Sequence, residues 1–274
     1  MKTGWLLYNR QDYEANRMFA AHMQVCAAPY AMRLSVVLSD AMENSLQTLP
    51  DFVVSRQRNP HLSKRLEELG VPVFNPSRVC EICNDKYKTH LFLKDIPCMR
   101  TVYAANGESI SPDMFSFPLV VKPASGHGGD RVAMVSNQAE LRTALTAIHP
   151  QPAIVQEMAS DAGRDLRVYV LFGKIVAAVM RTAQQGIVSN YKKGGAVALH
   201  TVSAKEKELA EKVIRRFADA DAPLALAGID LIYHQGMPVV NEVEDVVGSR
   251  MLYKVSDMDI ISLYIRGIAQ RLPA

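Results

Sequence analysis

A glycine-rich loop that directly follows an apolar strand is the first feature of this sequence that could do chemistry. Residues 119–130 read Leu-Val-Val-Lys-Pro-Ala-Ser-Gly-His-Gly-Gly-Asp, so Lys122 lies near the strand end and three glycines follow it. Such loops wrap phosphates, because glycine lets backbone N–H groups approach an anion closely. No Gly-Lys-Ser/Thr ends the loop, which excludes a Walker motif. Because residues 131–135 resume a strand pattern, we predict a strand–loop–strand hairpin over a nucleotide, with a plain tight hairpin as the alternative.

A second chemical feature is a set of three carboxylates on two apolar segments near the carboxyl end. Segments 228–233 and 239–244 flank a Gln-Gly turn, and strand alternation places Glu242 and Glu244 on one face. Hairpin pairing can bring Asp230 beside them. Three carboxylates on one face repel each other unless cations lie between them, and oxygen ligands of this kind suit Mg²⁺. We therefore predict a magnesium site; a solvated acidic edge is the alternative, although the flanking residues are strongly apolar.

Alternating strand and helix patterns predict the elements that position these groups. Apolar segments at 5–8, 33–38, 52–55 and 71–74 alternate with helical patterns, which is typical of an α/β fold with a parallel sheet. Two α+β lobes follow. We place the lobes at residues 1–76, 77–152 and 153–274.

Two helix starts bear on the site and on the last lobe. Asn84 is the predicted N-cap of a helix that carries Lys86 on its first turn, facing a cleft. Ser203 and Glu206 have the spacing of a capping box that opens a helix in the last lobe.

The composition is that of a globular protein without a nucleic-acid or membrane partner. The chain has 274 residues, of which 49% are hydrophobic and 22% charged, and its formal net charge is +3. No basic tract suits nucleic acid, and no apolar run approaches the ~20 residues that span a membrane. Four cysteines are too few for a disulfide framework. With no signal peptide at the amino end, we expect a cytoplasmic protein.

Together these segments resemble the ATP-grasp ligases, in the branch of the ribosomal-protein glutamate ligase (RimK) and the lysine-biosynthesis ligase (LysX). The resemblance extends from about residue 56 onward, and the order and spacing of many short motifs make it specific. The matching motifs include Arg58-Asn59-Pro60, Cys83-Asn84-Asp85-Lys86, Val121-Lys122-Pro123, Val155-Gln156-Glu157, Arg164-Asp165-Leu166-Arg167, Ser189-Asn190-Tyr191, Ala227-Gly228-Ile229-Asp230 and Asn241-Glu242-Val243-Glu244. It implies an ATP-grasp fold, in which a βα pre-ATP-grasp lobe precedes two α+β lobes that clamp ATP.

The resemblance also implies an ATP site. Lys86 and Lys122 would grip the phosphates, the glycine loop would close over them, the segment 156–158 would read the adenine edge, and Asp165 would bind the ribose. The full set implied for ATP is Lys86, Lys122, Ser125, Gly126, Gly128, Gly129, Gln156, Glu157, Met158, Asp165, Ser189 and Asn190. The alternatives are solvated or strand-end lysines, an ordinary strand exit at 156–158, and an ion pair of Asp165 with Arg164 or Arg167.

The implied catalytic groups are Arg181 and Asn190, which would steady the phosphate or acyl phosphate; an exposed Arg181 is the alternative. Asp230, Glu242 and Glu244 would hold Mg²⁺, which Mn²⁺ could replace. The chain departs from the family where Glu244 replaces the usual asparagine, and where residues 187–188 are Ile-Val instead of Phe-Arg. The second departure puts glutamate transfer in doubt.

Arg250 is the predicted ligand of a substrate carboxylate, because a guanidinium offers a bidentate fork just past the metal hairpin. Lys192 is the second candidate for that role. A surface arginine paired with Asp245 or Asp257 is the alternative.

The function that follows is an ATP-dependent carboxylate–amine ligase that makes an amide through an acyl phosphate. It would add an amino acid to an amino acid, a peptide or a protein terminus, and we also expect a homo-oligomer. A non-catalytic ATP-binding scaffold and an ATP-grasp kinase are the alternatives. ADP release that depends on both a carboxylate and an amine would separate the three.

Overall fold

The computed structural model describes residues 1–42, 46–105, 114–126, 128–183 and 195–273, which form three sheets. The first sheet is parallel, with strands in the spatial order β2 (Met32–Leu38), β1 (Lys2–Tyr8), β3 (Phe52–Ser55) and β4 (Val73–Phe74). Its helices are α1 (Arg10–Ala15), α2 (Arg17–Ala27) and α3 (Pro60–Glu68). Both faces are buried, as a parallel sheet requires, because Leu6 and Leu7 on β1 belong to different core clusters.

The second sheet is antiparallel and contains the glycine-loop hairpin. Its strands are β5 (Thr101–Ala104), β8 (Ala153–Glu157), β6 (Leu119–Pro123) and β7 (Ala133–Val135), in spatial order. Helix α6 (Gln138–Ile148) packs its apolar face, Leu141, Leu145 and Ile148, onto this sheet. The predicted hairpin of β6 and β7 is present. The predicted lobe boundary after residue 152 falls just before β8, which completes this middle sheet.

The third sheet is antiparallel and carries the predicted carboxylates. Its strands are β11 (Ala196–Leu199), β10 (Lys174–Thr182), β9 (Asp161–Leu171), β12 (Leu226–His234) and β13 (Met237–Glu244), in spatial order. Helix α7 (Ala204–Asp219) begins at the predicted capping box of Ser203 and Glu206. It covers one face of the sheet with an apolar face that includes Val213 and Phe217.

Two carboxyl-terminal helices join the third sheet to the first. They are α8 (Arg250–Val255) and α9 (Ile260–Ala269). One core cluster contains Met23 of α2, Tyr169 of β9 and Tyr264 of α9, so the first and last lobes share a continuous core. That shared core fixes the amino-terminal lobe against the sheet that carries the carboxylates.

The linking helices α4 (Ser77–Cys83) and α5 (Lys86–Phe92) correct one sequence prediction. The N-cap of α5 is Asp85, whose Oδ1 accepts hydrogen bonds from the backbone N–H groups of Tyr87 and Lys88. Asn84 instead donates through Nδ2 to the carbonyl of Cys80 and to Asp245. The predicted position of Lys86 on the first turn of this helix is confirmed. Within the described residues, we find no helix with the length and apolar character that a membrane span requires.

Candidate active site

A cavity of about 360 Å³ is lined by residues of all three lobes. Its volume lies in the range of ligand pockets. Its lining includes two walls, one from the middle lobe and one from the last lobe. The middle-lobe wall comprises Lys86, Lys122, Gly126, Gly128 and Gly129, and the last-lobe wall comprises Asp165, Arg167, Arg181, Glu242 and Glu244 with the buried Asp230 behind them.

The middle-lobe wall brings the two predicted phosphate-binding lysines to the glycine loop. Nζ of Lys86 donates to the carbonyl of Gly126 at 2.6 Å, and Nζ of Lys122 donates to Oδ1 of Asn241 at 3.1 Å. Gly128 and Gly129 have φ of 73° and 71°, a conformation that favours glycine. Burial, opposed by Glu242 and assisted by Lys86, lowers the pKa of Lys122 to about 8. Both lysines therefore face neutral acceptors, with room for an anion.

Not every residue predicted for the loop lines the cavity. Ser125 is exposed and lies outside the lining residues. His127 lies outside the described residues, as do the predicted site residues Ser189, Asn190 and Lys192.

The predicted adenine hinge lies at the end of strand β8 in the middle sheet. Gln156, Glu157 and Met158 all line the cavity. The side chain of Gln156 is turned into the lobe, where its Nε2 lies 2.9 Å from Thr101 Oγ1 and 3.1 Å from the ring of His90. Burial, with Lys122 nearby, lowers the pKa of His90 to about 4, so the ring is neutral at pH 7. The Gln156 side chain is therefore engaged within the lobe, and its backbone remains to meet a ligand.

The last-lobe wall is a buried ion-pair network. Arg167 of β9 forms a bidentate pair with Asp230 of β12, at 2.7 and 2.6 Å. Arg181 of β10 pairs with Asp165 and, at 2.5 Å, with Asp230. Burial alone would raise the pKa of Asp230, but the two guanidinium groups outweigh it and lower that pKa to about 2. The exposed Arg181 considered from the sequence is wrong, because Arg181 is buried and pairs with Asp165.

The three predicted metal ligands converge. One oxygen of each of Asp230, Glu242 and Glu244 lies within 4.8 Å of the others, because Asp230 pairs with Glu242 across the β12–β13 ladder. Arg167 also donates to Glu244 at 2.9 Å. Burial, partly offset by Arg167, raises the pKa of Glu244, and the other two carboxylates raise it further. A divalent cation would relieve that repulsion, so the oxygen-only donor set fits Mg²⁺.

Arg250 lies on the cavity lining but is held by the amino-terminal lobe. Its Nη2 donates to the carbonyl of Ala15 at 2.7 Å and to Oδ1 of Asn16 at 3.1 Å. It forms no ion pair with Asp245, Asp257 or any other carboxylate of the described residues, so the surface-pair alternative is wrong.

Sequence reasoning gave no role to several residues that the cavity gathers. Arg167 is two residues from Asp165, and strand alternation could have placed both on one face. Tyr8, Arg56 and Arg58 come from the amino-terminal lobe, and only their positions at or just after strand ends would have indicated them.

The chain is similar to proteins of known sequence along most of its length. An uncharacterized protein of Mycoplasma genitalium is 26% identical over 270 residues, which is 96% of this chain and 91% of the relative. A ribosomal protein bS6–L-glutamate ligase of Escherichia fergusonii is 30% identical over 214 residues, 75% of this chain and 70% of the relative. A probable alpha-L-glutamate ligase of Xanthomonas campestris pv. campestris is 31% identical over 221 residues, 76% and 73% of the two chains.

Solved structures confirm the predicted fold. The D-cycloserine synthetase DcsG superposes with a TM-score of 0.78 at 15% identity, covering 98% of this chain and all of that one. The ATP complex of the D-alanine–D-alanine ligase from Bacillus anthracis gives 0.77 at 18% identity, covering 98% and 96%. The ATP-grasp ligase PsnB with its minimal precursor gives 0.73 at 16% identity, covering 98% and all of the two chains. At these identities the likeness shows the fold alone, the ATP-grasp fold.

The family model for the RimK-like ATP-grasp domain matches residues 84–268, which span the glycine loop, the ion-pair network and the carboxylate hairpin. ATP and Mg²⁺ binding is typical of this family. The chain therefore belongs to the RimK-like ATP-grasp family and is an ATP-grasp carboxylate–amine ligase.

Proposed function

We propose that this enzyme joins an amino acid to an amino acid, a peptide or a protein terminus, with ATP converted to ADP and phosphate. The observation that carries the proposal is one cavity in which two lysines, hydrogen-bonded to neutral oxygens of the described residues, face three converging carboxylates. Phosphate oxygens suit the first group and divalent cations suit the second. ATP with Mg²⁺ supplies both.

The chemistry consists of two displacements. A substrate carboxylate oxygen attacks the γ-phosphorus of ATP and releases ADP, which leaves an acyl phosphate. The amine nitrogen then attacks the acyl carbon, phosphate leaves, and the amine loses a proton as the amide forms. Negative charge builds up on the transferring phosphoryl group, so positioned cations and N–H donors carry most of the catalysis.

We assign the phosphate contacts to the middle-lobe wall. Lys86, Lys122 and the N–H groups at Gly126, Gly128 and Gly129 would bind the phosphates, and the backbone of residues 156–158 would meet the adenine. Asp165 would accept the ribose hydroxyls. Nε and Nη2 of Arg181 already donate to carboxylates, so Nη1 would meet the phosphoryl oxygens. Ser189 and Asn190 stay predicted partners of the same group.

Asp230, Glu242 and Glu244 would hold Mg²⁺, which neutralises phosphate charge when bound. The protein residues around them orient these oxygens. Arg167 fixes Asp230 with two hydrogen bonds and Glu244 with one. Such outer contacts keep the ligand oxygens in place before any ion arrives.

Glutamate is the first amino acid to test, because two relatives bear glutamate-ligase names. The Ile-Val at residues 187–188 separates this chain from those ligases, so other amino acids belong in the same screen.

The experiment is a screen of amino acid and peptide pairs for ADP release, with mass spectrometry of the products. We expect ADP release that requires both a carboxylate and an amine, with a product heavier by one amide-linked residue. The Glu242→Ala variant is the control for contaminating ATPases. Product phosphorylated on a carboxylate without any amine would indicate a kinase, and absence of turnover with every pair would contradict the proposed ligation.

A further inference from the structure

Arg56 is a buried arginine without a carboxylate partner. It directly follows β3, is 6% exposed and lines the cavity. Its Nη2 donates to the carbonyl of Val247 at 2.9 Å, and its guanidinium lies 5.0 Å from the ring centre of Phe19. Its Nε has no hydrogen-bond partner in the part of the chain that the structure describes. Among the residues described by the structure, no carboxylate forms an ion pair with Arg56.

The other buried arginines of the described chain differ in this respect. Arg167 pairs with Asp230 and Glu244, and Arg181 pairs with Asp165 and Asp230. Burying a guanidinium charge is costly unless an anion accompanies it. The buried Asp245 is near enough for Arg56 to lower its pKa against the effect of burial, but among the described residues it forms no ion pair with Arg56, which leaves the guanidinium without an anion in direct contact.

A tyrosine hydroxyl near Arg56 lines the same part of the cavity. Tyr8, the last residue of β1, is 1% exposed, and its Oη makes no hydrogen bond of standard geometry to the described residues. The backbone N–H of Arg56 donates to the carbonyl of Leu7, so Tyr8 and Arg56 lie at neighbouring strand ends; burial raises the pKa of Tyr8, and the Arg56 guanidinium that approaches the hydroxyl lowers it. Asp12, also on this lining, is already engaged by Arg58 at 2.6 Å. The phenol oxygen can accept from the guanidinium, and the phenol O–H and the remaining guanidinium N–H groups are donors that a carboxylate would satisfy.

The position of Arg56 relative to the carboxylate cluster is within reach of a peptide-sized substrate. Val247, which holds Arg56, lies three residues after Glu244, so at most about 11 Å of extended chain separates them. A carboxylate on Arg56 and a reacting group near the metal site are therefore close enough for one short peptide to reach both.

We propose that Arg56 and Tyr8 bind the non-reacting carboxylate of the amino acid or peptide substrate. This inference rests on the proposed ligase function and assigns its substrate class, a compound with a free carboxylate besides the reacting group. It also moves the carboxylate site away from Arg250, whose guanidinium is exposed and already holds Ala15 and Asn16.

The test measures binding by calorimetry, with the full-length protein, Mg²⁺ and a non-hydrolysable ATP analogue. The probes are the twenty common L-amino acids and their dipeptides with L-alanine, and then the carboxamide of whichever probe binds most tightly. The carboxamide keeps the shape of the probe and removes its charge. We expect the parent protein to prefer the carboxylate by about 10- to 100-fold, the range of a charge-assisted pair.

The variants separate a binding role from a structural one. Arg56→Gln should abolish the preference for the carboxylate, and Arg56→Lys should retain part of it. Tyr8→Phe should weaken carboxylate binding by about 3- to 10-fold, as for one neutral hydrogen bond. Affinity for the ATP analogue should stay within twofold in all three. The control is Arg33→Gln, an exposed arginine of the same lobe, which should match the parent.

Two results would overturn the proposal. One is an undiminished carboxylate preference in a folded Arg56→Gln or Arg56→Lys protein, and the other is no binding of any probe by the parent. Folding of each variant is checked by thermal unfolding. The two proposals can fail independently. If the ligase proposal is wrong, probe binding that depends on Arg56 would still be measured, but no ADP would be released. Conversely, the Arg56→Lys variant could release ADP with an unaltered KM for the amino acid or peptide substrate. The ligase function would then stand, and the carboxylate site at Arg56 would be rejected.

Discussion

The two walls of the cavity handle charge in opposite ways. In the last-lobe wall, Arg167 and Arg181 are buried and paired with carboxylates of the same chain. In the middle-lobe wall, the partners of Lys86 and Lys122 among the described residues are a backbone carbonyl and an amide oxygen. The arginines of the first wall are paired within the protein, whereas the second wall has cations that an incoming anion would satisfy.

This difference predicts different consequences for substitutions. A buried, saturated network contributes to folding and holds its groups in place before substrate arrives. Lysines held by neutral acceptors contribute little to folding and most to binding an anionic ligand. Loss of the carboxylate that pairs with both arginines of the last-lobe wall should therefore affect the free energy of unfolding as well as activity, and changes of the middle-lobe lysines should affect ATP affinity alone.

The largest effect is expected at the centre of the network. Asp230→Ala leaves Arg167 and Arg181 each short of one buried counter-charge, and breaking a buried pair costs about 3–5 kcal/mol. Urea unfolding should show a loss of that size, together with loss of turnover. The control is Asp40→Ala, whose exposed pair with Arg10 should contribute less than about 1 kcal/mol. Equal stabilities of the two variants would contradict a saturated network.

The next effect separates catalysis from folding within the same group of carboxylates. Glu242 is partly exposed and pairs with no arginine of the described residues, unlike Asp230. Glu242→Ala should therefore reduce kcat by at least about 10²-fold and change the free energy of unfolding by less than about 1 kcal/mol. Activity is measured as ADP release over a range of Mg²⁺ concentrations. A fully active Glu242→Ala protein would contradict the assignment of a metal site to these carboxylates.

Local pattern was sufficient to predict the parts of the site that lie on hairpins. The alternation around Glu242 and Glu244 and the Gln235-Gly236 turn fix the β12–β13 register within a few residues of sequence. The glycine loop between β6 and β7 and the capping box of α7 are equally local. Such features need no knowledge of the rest of the chain.

Contacts between distant segments could not be predicted in the same way. Arg167 meets Asp230 across 63 residues, and Arg56 meets Val247 across 191. The carboxylates were expected to need an external cation, yet two arginines supply part of the compensating charge. Asn84 and Asp85 are both good N-cap residues, and the bond of Asn84 to Asp245, 161 residues away, decides between them.

The two lysines of the middle-lobe wall differ from each other in burial. Lys122 is buried and Lys86 is only partly buried, so the bond that Lys122 makes to phosphate is less screened by water. Lys122→Ala and Lys86→Ala should each weaken ATP binding by about 1–3 kcal/mol, with Lys122→Ala at the upper end. Calorimetric titration measures both, and urea unfolding should show no loss comparable to that of Asp230→Ala. Unchanged ATP affinity in both variants would refute their assignment to phosphate.

The pH dependence of ATP binding follows from Lys122. Its pKa of about 8 in the free protein means that the side chain is charged at pH 7 and neutral at pH 9.5. Bound phosphate favours the charged form, so binding takes up a proton above pH 8, and affinity should fall by up to about tenfold per pH unit there. Lys122→Arg stays charged throughout this range and should bind ATP with less pH dependence. Titrations of both proteins between pH 7 and 9.5 make the comparison; parallel profiles would contradict it.

The smallest effect is expected at Glu244, the residue that departs from the family. Glu244→Asn keeps an oxygen that can accept from Arg167 and bind a metal ion, and it removes a charge that burial and two neighbouring carboxylates already disfavour. Arg167 keeps its bidentate pair with Asp230, so the network stays closed. We expect ADP release within about threefold of the parent and an unfolding free energy within about 0.5 kcal/mol. Glu244→Gln retains the longer side chain and separates the effect of length from that of charge. If both variants fold but neither releases ADP, the negative charge of Glu244 is itself required for activity. The last-lobe wall would then need one more anion than Arg167 and Arg181 pair with.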